Sequence, residues 1–231
     1  MADPKVEAAK AALNLISAGQ TIGLGAGSTV AYLTDMISQR TDLVGSLILT
    51  SSSFKTTTRL LEHGLRVQSP ALLKHLDIYF DGCDQFDKEL NALKSGGGIH
   101  TTEKILASMA DEFILIGDEG KFAEQLDTAY PLVIEILPQA LQAVLFRLAT
   151  DYPQSKVNLR MSTQKDGAVI SENGNLLADI YFNKLIAPAI LNSQIKMIPG
   201  IVDHSLFYRM AIKAVIAGNE AVRIIHPVYN A

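Results

Sequence analysis

Between Asp81 and Lys104 (DGCDQFDKELNALKSGGGIHTTEK) the chain places Asp81, Asp84, Lys94, a triple-glycine turn and Glu103 within 24 residues. Carboxylates can take and return protons. A lysine ammonium can stabilise the negative charge that proton removal leaves on an oxygen. The segment directly follows the apolar run Ile78-Tyr79-Phe80, so its first acid stands where a buried strand ends. In α/β proteins, sites are assembled at that edge of the sheet. A second glycine-rich turn, GLGAGST from Gly23 to Thr29, also follows a short apolar strand and opens a helix. Its glycines let the backbone approach an anion, while Ser28, Thr29 and the helix N-terminus supply donors. The two turns together suggest acid/base chemistry on a small phosphorylated molecule.

Each element also has a plainer reading. GLGAGST has neither the GK[ST] of a Walker A loop nor a third glycine at Val30, and a tight strand-to-helix turn needs glycines anyway. Asp81 and Asp84 could be turn or cap residues, since Asp-Gly is common turn chemistry. Lys94-Ser95-Gly96-Gly97-Gly98 could be a mobile linker or a loop that lies close to a ligand. Glu103, behind Thr101 and Thr102, fits a capping box as well as a general base, and spacing alone favours the cap. Lys121 follows Asp118-Glu119-Gly120 and could reach a phosphate or lie solvated on the surface. Cys83 reads as a small packed residue, because no activating base accompanies it. The five histidines, at 63, 75, 100, 204 and 226, show no ligand spacing, so a metal is not expected.

The elements that must position these residues alternate in the first half. Val6, Ala9, Leu13 and Ile16 recur at helical spacing, and Gly19 can end that helix. Thr21–Leu24 and Leu47–Leu49 read as strands, 30–37 and 56–63 as helices, and Gly64 closes the second. Ile78–Phe80 and Phe113–Ile116 are further strands flanking a helix over 103–110. This alternation predicts βαβ units and a parallel sheet. After about Tyr130 the pattern changes to strand (133–137), helix (140–148) and strand (157–161). Asn173-Gly174 then stands between two apolar runs as a hairpin signal. The expected fold class is therefore α/β: a Rossmann-like parallel-sheet domain at 1–128 and 204–231, with a smaller α+β lobe at 129–203. Val215-Ile216 and 222–225 should return to the first sheet.

Composition narrows the classes of function. With 231 residues, 48% hydrophobic and 19% charged, the chain can bury a full core. A net charge of −4 and no basic run argue against nucleic acid, and no apolar stretch is long enough to span a membrane. The charged N-terminus is unlike a secretory signal, and a single cysteine fits a reducing compartment. A cytoplasmic enzyme is the expectation.

The order of these motifs resembles ribose-5-phosphate isomerase of type A. It is carried by GLGAGST, SSSFKTT, DGCD, KSGGG followed by TEK, DEGK at 118–121, YPLVIEILP at 130–138, NGN at 173–175 and IPGIVDHSLF at 198–207. The resemblance runs nearly end to end. It implies interconversion of ribose 5-phosphate and ribulose 5-phosphate through an enediolate, without metal or cofactor, in a homo-oligomer (dimer or tetramer). Glu103 would be the base, and Asp81 would assist ring opening and hydroxyl proton transfer with Asp84 beside it. Lys94 with the backbone of Gly96 and Gly97 would stabilise the enediolate oxygen. Ser28, Thr29 and Lys121, with Lys5, would hold the phosphate. Ala26, Gly27, Gly82, Cys83 and Ser95 would complete the substrate pocket.

The chain departs from the usual family pattern at Ala26 (threonine), Cys83 (alanine), Gln85 (glutamate), Ser95 (glycine) and Ser205 (glycine). Gln85 removes a charge beside the acids, and Ser95 would stiffen the loop if its φ were positive. A sugar-phosphate-sensing regulator of the same fold is the alternative, but it would need a DNA-binding helix-turn-helix and a basic patch, for which the two lobes leave no room. A sugar-phosphate hydrolase or deaminase would call for a differently placed acid or histidine.

Overall fold

The structure, a computed structural model, describes residues 3–184 and 186–229. The chain opens with α1 (Pro4–Leu13), β1 (Thr21–Leu24), α2 (Ser28–Gln39), β2 (Ile48–Ser51), α3 (Phe54–Glu62) and β3 (Leu76–Asp81). Two short strands, β4 (Gln85–Phe86) and β5 (Ala92–Leu93), precede α4 (His100–Met109) and β6 (Ala110–Asp118). Then come β7 (Leu132–Ile136), α5 (Leu141–Asp151), β8 (Lys156–Leu159), β9 (Leu176–Tyr181), α6 (Pro188–Lys196) and β10 (Ile201–His204). The chain closes with β11 (Leu206–Phe207), β12 (Lys213–Ala217) and β13 (Val222–Ile225).

The principal sheet has the order β13-β12-β6-β3-β1-β2, parallel except where β13 pairs antiparallel with β12. Its central strands are buried on both faces, which is why Leu76–Asp81 and 113–117 read as nearly continuous apolar runs. Burial of α1, α2 and α3 against one face builds a core around Ile22, Leu24, Leu33 and Phe80. A second core around Tyr79, Phe113 and Phe207 lies beneath α4. An antiparallel sheet of order β10-β7-β9-β8 packs with α5 and α6 around Ile134, Leu148, Ile180 and Ile195. A small sheet, β11-β5-β4, joins the segment after β10 to the segment carrying Lys94.

Caps and turns follow local chemistry. Asp3 and Ser53 cap α1 and α3, accepting from the N–H groups of Lys5 and Thr56. Gly64, at φ +73°, ends α3 in the left-handed conformation. The expected hairpin around Asn173-Gly174 forms only in part: the turn is present and β9 follows it, but 168–170 makes isolated bridges in place of a strand. The side chains of Asn173 and Asn175 are drawn instead to Glu135.

Candidate active site

The C-terminal ends of β1, β3 and β6 open onto a cleft of about 310 Å³. Along its floor lie the residues that follow β3. Asp81 is fully buried at the strand end, and its carboxylate accepts from four donors. Oδ1 takes the N–H of Ala26 (3.1 Å) and of Gly82 (2.8 Å), while Oδ2 takes the Tyr79 hydroxyl (2.6 Å) and the Lys94 ammonium (2.9 Å). This close approach requires Gly25, since a Cβ there would land on the Asp81 carboxylate.

Lys94 is buried, donates to the Gly82 carbonyl and lies 3.3 Å from Glu103 Oε1. Two carboxylates thus share one ammonium. Asp81 is the closer partner and has three further donors, so the lysine's charge is spent mainly there. Burial first, and then the adjacent Asp81 charge, push the Glu103 carboxyl up to about 8 against the pull of Lys94. For Lys94 itself, burial favours the neutral amine, but Asp81 and Glu103 outweigh it and hold the ammonium well above the usual lysine range. The outcome is a buried carboxyl poised near neutrality beside a fixed cation, the environment that suits a general base.

The capping reading of Glu103 fails. Helix α4 begins at His100 with Ile99 in the cap position, so Glu103 is the fourth helical residue, one beyond the position a capping box uses. Its side chain turns to Lys94. Thr101 does not cap either: its hydroxyl donates to Glu135 on β7. Glu135 is nearly fully buried and also accepts from Ser171, Asn173 and Asn175. Burial alone would raise its pKa, but these hydrogen bonds outweigh that and hold the carboxyl below the usual range. Glu135 therefore ties the first turn of α4, two residues from Glu103, to the second sheet. Sequence reasoning missed it. The signal was a lone acid inside the apolar strand Leu132–Ile136.

Opposite the acids, α2 starts at Ser28 with Gly27 at φ +102° and no side-chain cap. Among the described residues, the N–H groups of Gly27, Ser28 and Thr29 have no protein acceptor. Lys5 and Lys121 border the same cleft, and no acid pairs with either among the described residues. These amides and the two cations form an anion cradle. Ala26, which lacks the hydroxyl expected near a phosphate, contributes its N–H to Asp81 instead.

Asp84 faces the glycine loop: its Oδ2 accepts the N–H of Ser95 (2.6 Å) and of Gly96 (3.0 Å). The Gly96 amide is therefore engaged within the protein, whereas the Gly97 N–H has no acceptor among the described residues. Ser95 does not strain the loop, because its φ is not positive; its hydroxyl donates to the Pro131 carbonyl (2.6 Å). Ser205 Oγ likewise accepts the Val133 N–H (2.9 Å). Gln85 Oε1 accepts the Asp127 N–H (3.0 Å), a bond for which a neutral amide suffices. Gly82 and Cys83 border the cleft, and burial pushes the Cys83 thiol up to about 12, too high for a nucleophile. Lys104 points away from the cleft to Asp203 (2.8 Å). Among the described residues, the trio that could hold a metal ion is His75, Asp77 and Asp111, at the opposite edge where β3 and β6 begin.

Residues 48–221 match the family model described as Ribose 5-phosphate isomerase A (phosphoriboisomerase A). A Methanosarcina acetivorans protein named Ribose-5-phosphate isomerase A is 37% identical over 216 residues, 93% of this chain and 91% of that one. The ribose 5-phosphate isomerase A structure from Methanocaldococcus jannaschii aligns with a TM-score of 0.89 at 29% identity, covering 97% of this chain and 98% of that one. A D-ribose-5-phosphate isomerase solved in complex with phospho-erythronic acid also gives 0.89, at 31% identity and 96% and 97% coverage. Matched along nearly its whole length in both sequence and fold, the chain belongs to the ribose 5-phosphate isomerase A family.

Proposed function

We propose that Glu103 is the base of an aldose–ketose isomerisation that interconverts ribose 5-phosphate and ribulose 5-phosphate in this cleft. The observation that carries the reading is the Asp81–Lys94–Glu103 cluster, with its raised Glu103 carboxyl, in the same cleft as an anion cradle. The cradle takes the phosphate through the amides of Gly27, Ser28 and Thr29 and the charges of Lys5 and Lys121.

In the open-chain aldose, the ionised Glu103 accepts the C2 proton. The C–H electron pair forms the C1=C2 bond, and the carbonyl pair moves onto O1 as an enediolate. Lys94 and the Gly97 N–H stabilise that oxygen. As Glu103 gains a proton its attraction for Lys94 ends, so the ammonium changes partner rather than acquiring one. Asp81 moves the hydroxyl proton between O2 and O1, and Glu103 returns its proton to C1, leaving the ketose. Earlier, Asp81 shuttles the anomeric hydroxyl proton as the sugar ring opens. Asp84 holds the loop that bears Lys94 and Gly97.

On the same reading, residues 129–203 form a smaller lobe whose strands buttress the loop, and the protein acts as a cytoplasmic homo-oligomer. Exposed Phe146 and Met197 offer apolar surface for self-association. Incubation with ribose 5-phosphate in deuterium oxide tests the reaction. Ribulose 5-phosphate carrying solvent deuterium at C1, introduced when the proton held by Glu103 exchanges before its return, is expected, and no product would end the assignment.

A further inference from the structure

The loop 95–98 would be floppy if left alone, because its three glycines have the most backbone freedom to lose. It is held on two sides. On the cleft side, Asp84 accepts the Ser95 and Gly96 amides. On the other side stands Arg160, directly after β8, with its own backbone fixed by bonds to Leu177 and Val169. Its guanidinium is forked onto Asp179 of β9 through Nε (3.1 and 3.3 Å) and Nη2. The remaining N–H groups reach the loop: Nη2 donates to the Ser95 carbonyl (3.0 Å) and Nη1 to the Gly96 carbonyl (3.3 Å). Gly98, at φ +70°, is pressed against this surface, where a Cβ would lie 2.7 Å from Leu177 Cδ1.

Peptide geometry turns these contacts into a direction. In a planar trans peptide, the C=O of one residue and the N–H of the next point opposite ways. There is no cis bond among the described residues. The Ser95 carbonyl faces Arg160, so the Gly96 N–H faces away, and there it meets Asp84. The Gly96 carbonyl also faces Arg160, so the Gly97 N–H points away from it, and this amide has no acceptor among the described residues while Gly97 borders the cleft. A cation on the carbonyl also polarises the peptide and strengthens the N–H at its other end as a donor.

We propose that Arg160, held by Asp179, is a positioning residue that aims the Gly97 N–H into the cleft as a donor to the oxygen that becomes negative during the reaction. The inference rests on the isomerase reading above. A lysine at 160 keeps the charge but loses the fork that grips Asp179 and two carbonyls together.

The test compares wild type with Arg160→Lys and Asp179→Asn, measuring kcat and KM for ribose 5-phosphate, the inhibition constant of phospho-erythronic acid and the thermal midpoint. That acid carries a phosphate and a carboxylate, whose charge stands in for the enediolate. Loss of a preorganised donor predicts kcat lower by about 10- to 100-fold, with KM little changed and inhibitor binding weakened in step. Folded variants with unchanged kcat and inhibitor affinity would overturn the proposal, as would a rise in KM alone. Should both variants unfold, glycine-labelled wild type decides: the Gly97 amide resonance must shift downfield when phospho-erythronic acid binds, and an unmoved resonance refutes the donor role. Absence of wild-type turnover would refute the isomerase reading itself, a result separable from the variant effects.

Discussion

Replacing Lys94 by methionine keeps most of the side chain's volume and removes its charge from between two buried carboxylates. Asp81 retains the Ala26 and Gly82 amides and the Tyr79 hydroxyl, whereas Glu103 loses its cation and has no other donor in the cluster. Leaving one member of a buried ion pair unpaired costs about 3–5 kcal/mol when that member is ionised. The cost is avoidable by taking up a proton, so it must depend on pH. Glu103 already titrates at about 8, and without Lys94 its pKa rises further. A carboxyl whose pKa is higher folded than unfolded binds a proton that the unfolded chain has released. Stability therefore falls as pH rises from about 4.3 through the folded pKa. The deficit of Lys94→Met relative to wild type should be smallest below about pH 8, where Glu103 is protonated in both proteins, and should grow above it by up to about 1.4 kcal/mol per pH unit toward about 3–5 kcal/mol. Urea unfolding at several pH values measures it. A deficit independent of pH, or one below about 1 kcal/mol at pH 9, would refute the view that Lys94 neutralises two buried carboxylates.

Further outcomes follow from the same geometry. Gly25→Ala places a methyl on the Asp81 carboxylate and should lower kcat/KM by about 100-fold, the scale of a 1 Å misplacement, measured beside a thermal melt as a folding check. Tyr79→Phe deletes a buried 2.6 Å donor to Asp81 and leaves Ser52 Oγ without its partner, which should cost about 1.5–3 kcal/mol by urea unfolding. A base must be ionised to act, so kcat/KM should decline as pH falls below about 8; a pH–rate profile flat to pH 6 would contradict this. Lys121→Ala should raise KM for ribose 5-phosphate more than it lowers kcat, with weaker salt dependence than wild type.

The features legible in sequence were those fixed locally. Apolar runs ending in Gly-rich or acidic turns located β1, β3 and β6, and GLGAGST announced the uncapped start of α2. Glu103 was ambiguous because its helix boundary, shifted by one residue, decides between capping its own helix and facing Lys94. Periodicity does not resolve a single residue. The short strands β4, β5 and β11 and the helix α6 escaped because two-residue pairs and Ala/Pro-flanked segments carry little periodic signal. The supports of the site were hidden for a different reason. Arg160 meets Ser95 across 65 positions, and Glu135 meets Thr101 across 34. Such contacts depend on how the two larger sheets pack, and no local pattern encodes that. The serines at 95 and 205, departures in sequence, are explained only by acceptors and donors on the segment around β7.

The central claim is that Glu103 carries the proton. Glu103→Gln keeps the shape of the side chain and removes its basicity, and it is best measured by ribulose 5-phosphate formation together with solvent deuterium uptake into the sugar. The account predicts that both fall together by about 100-fold or more in a protein that still melts cooperatively and binds phospho-erythronic acid. A variant that retains turnover and exchange within a few-fold of wild type would contradict it and place the base elsewhere in the cleft.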